Sequence, residues 1–331
     1  MKKWVLIFKE TPILWIIAIG SIAIPFCLPS RYYQGIAVLT FLWAGLACAW
    51  NLYSGYCNRL SIGHAAFFGI GAYTSSLLYL NFGLSPWIGM LAGGVVSAVT
   101  ALVIGGTTLR LKGTFFVLST IAFAKILEVI AVTSRDLTGG SLGVFIPNDT
   151  GFSNMIFSGK IPYAILTWGY MIAALLICAG LEKSRLGFSL IAIGQNQEAA
   201  ENLGVNSTKV MLTAFVMSAV LTAFGGAVYA QYVMFFEPSL IMSLGTSINF
   251  ILLAITGGTG TAFGPMVGSF ILTPISNILR GSLTGISGLH NFILGFILIV
   301  ILLFRPDGIL PQVKLFYEGM VKKRKKSGEV K

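Results

Sequence analysis

NRLSIGHAAFFGIGAYTSSLL, Asn58 to Leu78, is the stretch on which the reading of this chain turns. It is apolar enough for a membrane helix, yet Gly63, Gly69 and Gly71, with Ala65, Ala66 and Ala72, interrupt it, and one of only two histidines, His64, stands at its start. A plain lipid-facing helix needs neither the glycines nor a polar ring.

The surrounding chain settles the class. Of 331 residues, 56% are hydrophobic and 10% charged, and the mean hydropathy is +0.85. An ordinary soluble domain carries about 25% charged residues. Several apolar runs reach roughly 20 residues, the length that crosses about 30 Å of hydrocarbon. The expected fold is an all-α polytopic membrane protein of about eight to ten transmembrane helices with broken or re-entrant segments. Residues 1–321 read as one transmembrane domain and 322–331 as a basic cytoplasmic tail.

The net charge of +11 does not point to nucleic acid, because of where it lies. Lys2, Lys3 and Lys9 open the chain, and Lys322, Lys323, Arg324, Lys325 and Lys326 form one run near its end. Basic clusters beside membrane spans are cytoplasmic anchors, so both termini are expected in the cytoplasm. Cys27, Cys48, Cys57 and Cys178 are scattered in mostly apolar surroundings, without metal spacing or a disulfide framework. The first apolar run has no small-residue cleavage site after Pro29 and reads as a retained helix rather than a signal peptide.

Spans are expected near 12–29, 35–52, 60–80, 87–109, 114–133, 162–181, 210–234 and 288–304. Basic residues place Arg59, Arg110, Lys112 and the loop 182–209 (Lys183, Arg185, Lys209) inside. Seven spans then bring the chain outside near Glu237, so 245–280 must start and finish on the outer face, as a re-entrant hairpin or two short crossings. Its centre, TGGTGTAFGP, supplies Gly257, Gly258, Gly260 and Gly264. Irregular backbone at membrane depth leaves polar groups unsatisfied at several kcal/mol each, and is tolerated only inside protein or along an aqueous cavity. Glycine-rich breaks at 54–73 and 257–268, one in each half, mark either a translocation path or close helix packing by small residues.

The chain has no G-x-x-x-x-G-K-[ST] loop, no H-E-x-x-H and no G-x-S-x-G. No catalytic constellation and no metal site is expected, and energy for any pumping must come from another subunit. Lys125 and Glu128, three apart, share a helix face and can pair. A charge at mid-membrane costs about 2.5–3.5 kcal/mol on insertion scales, so the pair either lines a path or links moving helices, or else fixes helix rotation as a structural ion pair.

The loop EKSRLGFSLIAIGQNQEAAENLGVNSTK, Glu182 to Lys209, is the most informative polar segment. Asn196 is placed as an N-cap, Glu198 falls in the first turn, and Gly204 can end the helix in the left-handed region. Ala199, Ala200 and Leu203 offer a small apolar face. A helix of two turns is unstable alone; it is either a capped loop helix touching nothing or a piece that docks into a partner's groove.

Glu198-Ala199-Ala200-x-x-x-Gly204 resembles the E-A-A-x-x-x-G coupling motif of ABC importer permeases, without the I-x-L-P that usually follows. NRLSIGHAAFFGIGAY resembles the early signature of the LivM-type permease of branched-chain amino acid ABC transporters, with Asn58 in place of a glycine. LRLKGTFFVLSTIAFAKIL (Leu109 to Leu127), LTGGSLGV (Leu137 to Val144, Ser141 standing where Pro-Asn commonly follows), AFVMSAVLTAFGGAVYAQYVMFFEPS, GGTGTAFGPMVGS and LLFRPDGILP are similar to later blocks of that family, in the same order. The likeness runs from about residue 35 to 312.

The resemblance implies a permease domain in the cytoplasmic (inner) membrane of a prokaryote, forming the path for branched-chain amino acids in an ATP-driven importer. Its implied partners are a second related permease, two ATP-binding cassette ATPases and a periplasmic or lipid-anchored substrate-binding protein, with 134–161 (Asp136, Asp149) as a docking surface. No cofactor would bind this chain; ATP and magnesium would sit on the ATPases. Coupling would act through Glu198, Ala199, Ala200 and Gly204. Gly63, His64, Gly69, Gly71, Lys125, Glu128, Gly257, Gly258, Gly260 and Gly264 are the path candidates, with His64 bonding backbone carbonyls freed where the helix breaks. A permease for urea or short amides is the alternative, and an ion-coupled secondary transporter a weaker one, since only Glu128 offers a buried acid.

Overall fold

The computed structural model describes residues 12–283, 289–304 and 308–310. Helix α1 (Pro12–Gly20) continues through a tight turn at Ser21–Ala23 into the short helix Ile24–Cys27. Then come α2 (Arg31–Ser54), α3 (His64–Phe82), α4 (Pro86–Thr108), α5 (Thr114–Thr133) and α6 (Lys160–Glu182). Two loop helices follow, α7 (Arg185–Gln195) and α8 (Gln197–Asn202), before α9 (Ser207–Val233), α10 (Leu244–Gly257), α11 (Gly264–Ser282) and α12 (Leu289–Phe304).

Among the described residues six helical segments are long and apolar enough to cross a membrane: α2, α4, α5, α6, α9 and Pro238–Gly257, which contains α10. With α3, α11, α12 and the apolar Ile13–Cys27 packed among them, the chain is an all-α polytopic membrane protein. The segment 245–280 forms two helices, α10 and α11, packed on each other and joined through the glycine-rich break. The basic N-terminal residues and the tail lie outside the described residues.

Helix α2 is apolar on every side, which is the pattern of a buried helix, and it packs against α6, α9, α10 and α11. In lipid, helices gain nothing from hiding apolar surface from each other, so close backbone approach carries the packing. A Cβ added to Gly71 of α3 would lie 1.9 Å from the Ala223 carbonyl of α9, and one on Gly226 would lie 2.0 Å from the Phe68 carbonyl. The two helices cross with their backbones in contact.

That crossing corrects the reading of the opening stretch. Helix α3 runs unbroken through Gly69 and Gly71, and the interruption is confined to 55–63. A glycine costs a helix partly by exposing its backbone to water; in this packed interior it lets a neighbour approach instead.

The second break is a true one. Helix α10 stops at Gly257, the chain turns through Gly258 (φ +117°) and Gly260 (φ +72°), and α11 starts at Gly264. Glycine alone takes such a φ without strain, and a Cβ on Gly257 would fall 1.6 Å from the Gly264 carbonyl.

At the end of the bundle opposite α7 and α8, strands Val144–Phe145 (β1) and Phe235–Phe236 (β2) pair antiparallel and tie the 134–161 connection to the end of α9. The Trp87 indole donates to the Phe152 carbonyl at 2.9 Å and anchors the same connection to α4.

Candidate functional site

Where α6 ends and α9 begins, the two breaks and the loop helices meet. Asn51, fully buried in the last turn of α2, holds the second break. Its Oδ1 accepts from Gly260 N–H at 2.9 Å and its Nδ2 donates to the Thr261 carbonyl at 3.0 Å. One side chain thereby satisfies a donor and an acceptor that the missing helix leaves bare. Thr261 completes the turn: its hydroxyl donates to the Gly258 carbonyl at 2.9 Å and accepts from the N–H of Gly264, the first residue of α11, at 3.1 Å. Trp15 of α1 sets its ring edge-on to Phe263, centroids 5.0 Å apart.

The first break, 55–63, borrows partners from distant helices. The Ser61 carbonyl accepts from the Trp50 indole at 2.8 Å, Ile62 N–H donates to the Thr120 hydroxyl of α5 at 3.2 Å, and Ala65 N–H donates to the Ser247 hydroxyl of α10 at 3.0 Å. The unpaired N–H groups at the start of α3 are thus met from α5 and α10.

His64 does a different job from the expected one. It bonds two serine hydroxyls rather than freed carbonyls: Nδ1 lies 3.2 Å from Ser61 Oγ and Nε2 2.8 Å from Ser218 Oγ of α9. Ser218 donates its single hydrogen to the Ala49 carbonyl of α2 at 2.6 Å. Its oxygen must therefore accept from Nε2–H, which leaves Nδ1 as the acceptor for Ser61. The ring joins the first break to α9 and, through Ser218, to α2. His64→Ala should cost roughly 3 kcal/mol or more, from two buried hydroxyls stripped of a partner and a cavity. A lowered Tm of the purified permease in detergent checks this, with His64→Asn expected to recover part of the loss; an unchanged Tm for the alanine variant would count against the bridge.

The loop 182–209 holds two helices where the sequence reading found one. Ser184 caps α7, accepting from Gly187 N–H at 3.1 Å, and Gly187, Leu190 and Ile193 are buried on one face. That capped pattern, with Leu186, Leu190 and Ile193 at helical spacing, was the legible signal that went unread. A Cβ on Gly194 would touch the Cys57 carbonyl at 2.9 Å, so α7 lies directly on the first break.

Asn196 caps α8 as expected, its Oδ1 accepting from Ala199 N–H at 3.1 Å, and Gly204 takes φ +87° after the helix ends. The expected apolar face is divided, however. Ala200 turns inward and is buried, whereas Ala199 and Leu203 are exposed, Leu203 at 86%. Phe188 of α7, 63% exposed, adds a second bare apolar side chain on this surface.

Glu198 is exposed and pairs at 3.1 Å with Lys112 of the 109–113 connection, a surface pair of little energetic weight. Glu201 accepts hydrogen bonds from Ser207 and from Gln197 Nε2 (2.8 Å), which hold its carboxyl below the usual carboxylate range. That contribution to the α8–α9 elbow is present above the ordinary carboxylate pKa and is lost as pH falls through the lowered one.

A charged side chain ties α8 to the first break. Arg59, in the middle of the first break, donates from Nη2 to Gln197 Oε1 of α8 at 2.6 Å and from Nη1 to the Leu109 and Leu111 carbonyls, each at 3.2 Å. From α8 the chain of contacts runs through Arg59 to residues 55–63 and thence, through α2 and Asn51, to Gly260. Sequence reading had seen Arg59 only as a cytoplasmic anchor and had not singled out Asn51.

The remaining candidates are dispersed. Gly63 is the N-cap of α3, and Gly69 packs on Met242. Lys125 and Glu128 of α5 pair at 2.7 Å, with Glu128 turned inward and Lys125 at 64% side-chain exposure on the outer face of the bundle.

Residues 32–302 match the family described as branched-chain amino acid transport system / permease component. The high-affinity branched-chain amino acid transport system permease protein LivM of Salmonella typhimurium LT2 is 26% identical over 92% of this chain and 76% of its own length. LivM of Escherichia coli K12 is similar to the same extent. The autoinducer 2 import system permease protein LsrC of Yersinia enterocolitica is 26% identical over 94% of this chain and 76% of its own. No solved structure matches the chain.

Proposed function

Because the chain belongs to the family of branched-chain amino acid transport permease components and is a transport permease subunit, we propose that it forms the membrane path of an ATP-driven importer and receives its power stroke through α7 and α8. The observation that carries this reading is the Gln197–Arg59 bond, which links an exposed loop helix to a helix break in the bundle. Phe188, Leu203 and Ala199, with Glu198 beside them, form a small apolar and acidic surface fit for the groove of an ATPase subunit. This end of the bundle faces the cytoplasm of the inner membrane, since Arg59, Arg110, Lys112, Lys183, Arg185 and Lys209 all lie there.

The opposite end carries the folded 134–161 connection, with Leu142, Phe145 and Phe152 all more than two-thirds exposed and Asp136 and Asp149 beside them. It is the docking surface for a substrate-binding protein. Exposed apolar clusters of this kind mark protein contacts. A second related permease and two ATPases complete the assembly, and ATP with magnesium belongs to the latter.

Branched-chain amino acids are the preferred cargo, with urea or short amides as the alternative; relatives named for autoinducer 2 import carry other cargo on a similar chain. The test is uptake into proteoliposomes holding this chain, its sister permease and the ATPases, with binding protein on the outside and ATP on the ATPase side. Uptake of labelled leucine that needs both ATP and binding protein supports the reading. Uptake of urea alone moves the cargo, and uptake driven by an ion gradient without ATPase overturns the mechanism.

A further inference from the structure

Of the six segments long and apolar enough to cross a membrane, α5 is the least buried, and its residues divide into two faces. Phe116, Thr120, Ala124, Glu128 and Ala131 turn to the bundle, while Leu118, Ala122, Lys125 and Val129 are exposed. The exposed four recur at intervals of four, three and four residues, which is one continuous seam along a helix.

Lys125 stands in the middle of that seam. It lies eleven residues after the start of α5 and eight before its end, so about 12 Å of helix separate it from the nearer boundary. That is farther than a lysine stem extends, and snorkelling does not bring the ammonium to water. The inward-turned Glu128 carboxylate accepts one of its three hydrogens at 2.7 Å and is its only partner among the described residues. The other two donors are left at a depth where bare polar groups are costly.

A lipid-facing helix gains nothing from that arrangement. An apolar seam with one small residue, Ala122, and one polar group is the surface of a helix pair: the small residue lets backbones approach, and the polar group fixes partner and register. A second copy of this chain does not complete the pair. Matching α5 with its own image across a two-fold axis sets ammonium against ammonium, and the seam holds no acceptor side chain.

We propose that this face of α5 is the contact with the second permease, and that this second permease is a different chain, presenting the side-chain oxygen of an acid or carboxamide at the depth of Lys125. The proposal rests on the transport reading above and adds to it the surface, the chemistry of the contact and a heteromeric composition.

The test is photo-cross-linking in membranes of cells that express the whole transporter, with p-benzoylphenylalanine at Leu118 or Val129 of α5 and, for comparison, at the exposed Val95 or Val99 of α4. Adducts to the sister permease are expected from the α5 sites and not from the α4 sites, and mass spectrometry of the adduct identifies the facing helix. In the same complex Lys125→Glu should lower recovery of the sister permease with the tagged chain several-fold, and Lys125→Arg should keep most of it. Lysine in place of the facing acceptor should restore recovery to Lys125→Glu.

Adducts containing only this chain overturn the proposal in favour of a homodimer, and recovery unchanged by Lys125→Glu removes the acceptor from the contact. If the α5 sites give no protein adduct, in a transporter that still takes up leucine with ATP, the face meets lipid and the importer reading stands. Adducts to the sister permease in a complex without ATP-driven uptake keep the interface and sink the importer reading.

Discussion

Asn51→Leu is expected to be the most damaging single substitution in the bundle. Leucine has the branched skeleton of asparagine but bulkier methyl ends, so the change removes both hydrogen bonds and crowds the turn that they held. It strands Gly260 N–H and the Thr261 carbonyl in the protein interior, where Asn51 is their partner at 2.9 and 3.0 Å. Each orphaned buried group costs about 1–3 kcal/mol, so the break loses roughly 2–6 kcal/mol in all. The expected result is a steep fall in yield of folded protein and in Tm in detergent.

Two further variants keep the reading specific. Asn51→Asp retains an acceptor for Gly260 but loses the donor and buries a charge, and should fare no better than leucine. Asn51→Ser, able to meet one partner at most, should fall between. A leucine variant with the Tm of the parent would show that the second break holds itself and that Asn51 is a bystander.

That asparagine also marks the limit of what the sequence alone discloses. The break itself was legible, because TGGTGTAFGP in an apolar run has no helical reading. Its clamp was not: Asn51 is some 209 positions from Gly260 along the chain, and nothing local announces a partner so far away. A polar amide in the last turn of an otherwise apolar helix was the available clue.

The first break shows the converse. Gly69 and Gly71 have the same composition signature as Gly258, but the first two ease α3 against its neighbours and only the last bends the chain. Glycine spacing reports close approach and left-handed turns alike, and only the packing separates them. In the loop 182–209 the capping rules located α8 to the residue, because Asn196 and Gly204 act locally. They would have located α7 equally well from Ser184. Arg59 was legible only as a charge, since its partner Gln197 is brought near by the folding of two whole helices.

Arg59→Gln should disconnect ATP hydrolysis from transport while sparing assembly. The guanidinium holds α8 through Gln197 and the 109–113 connection through two carbonyls, and glutamine cannot span all three. Loss of charge-assisted contacts worth about 1.5–3 kcal/mol each corresponds to about a tenfold or greater fall in ATP-driven uptake if they are made in the state that moves substrate.

Glu198→Lys tests the same route from its far end, reversing the charge on the surface proposed to meet the ATPase at the loss of the exposed pair with Lys112. In both variants the complex should co-purify intact and the ATPases should continue to turn over. Because Arg59 and Gln197 share one contact, Arg59→Gln combined with Gln197→Ala should cost less than the sum of the two, the second change adding only the loss of the Gln197 bonds to Glu201 and Ser207.

Cys57 reports on the step directly. It is buried in the first break under Gly194 of α7, and burial pushes its thiol up to about 11, so it is inert in the resting fold. If closure of the ATPases pulls α7 and α8, alkylation of Cys57 should rise in the nucleotide-trapped wild type and stay low in Arg59→Gln. Uptake that survives Arg59→Gln, with Cys57 still responding to nucleotide, would place the transmission elsewhere at this end of the bundle. Loss of uptake with a silent Cys57 would place it at Arg59, whose side chain ties α8 to the break.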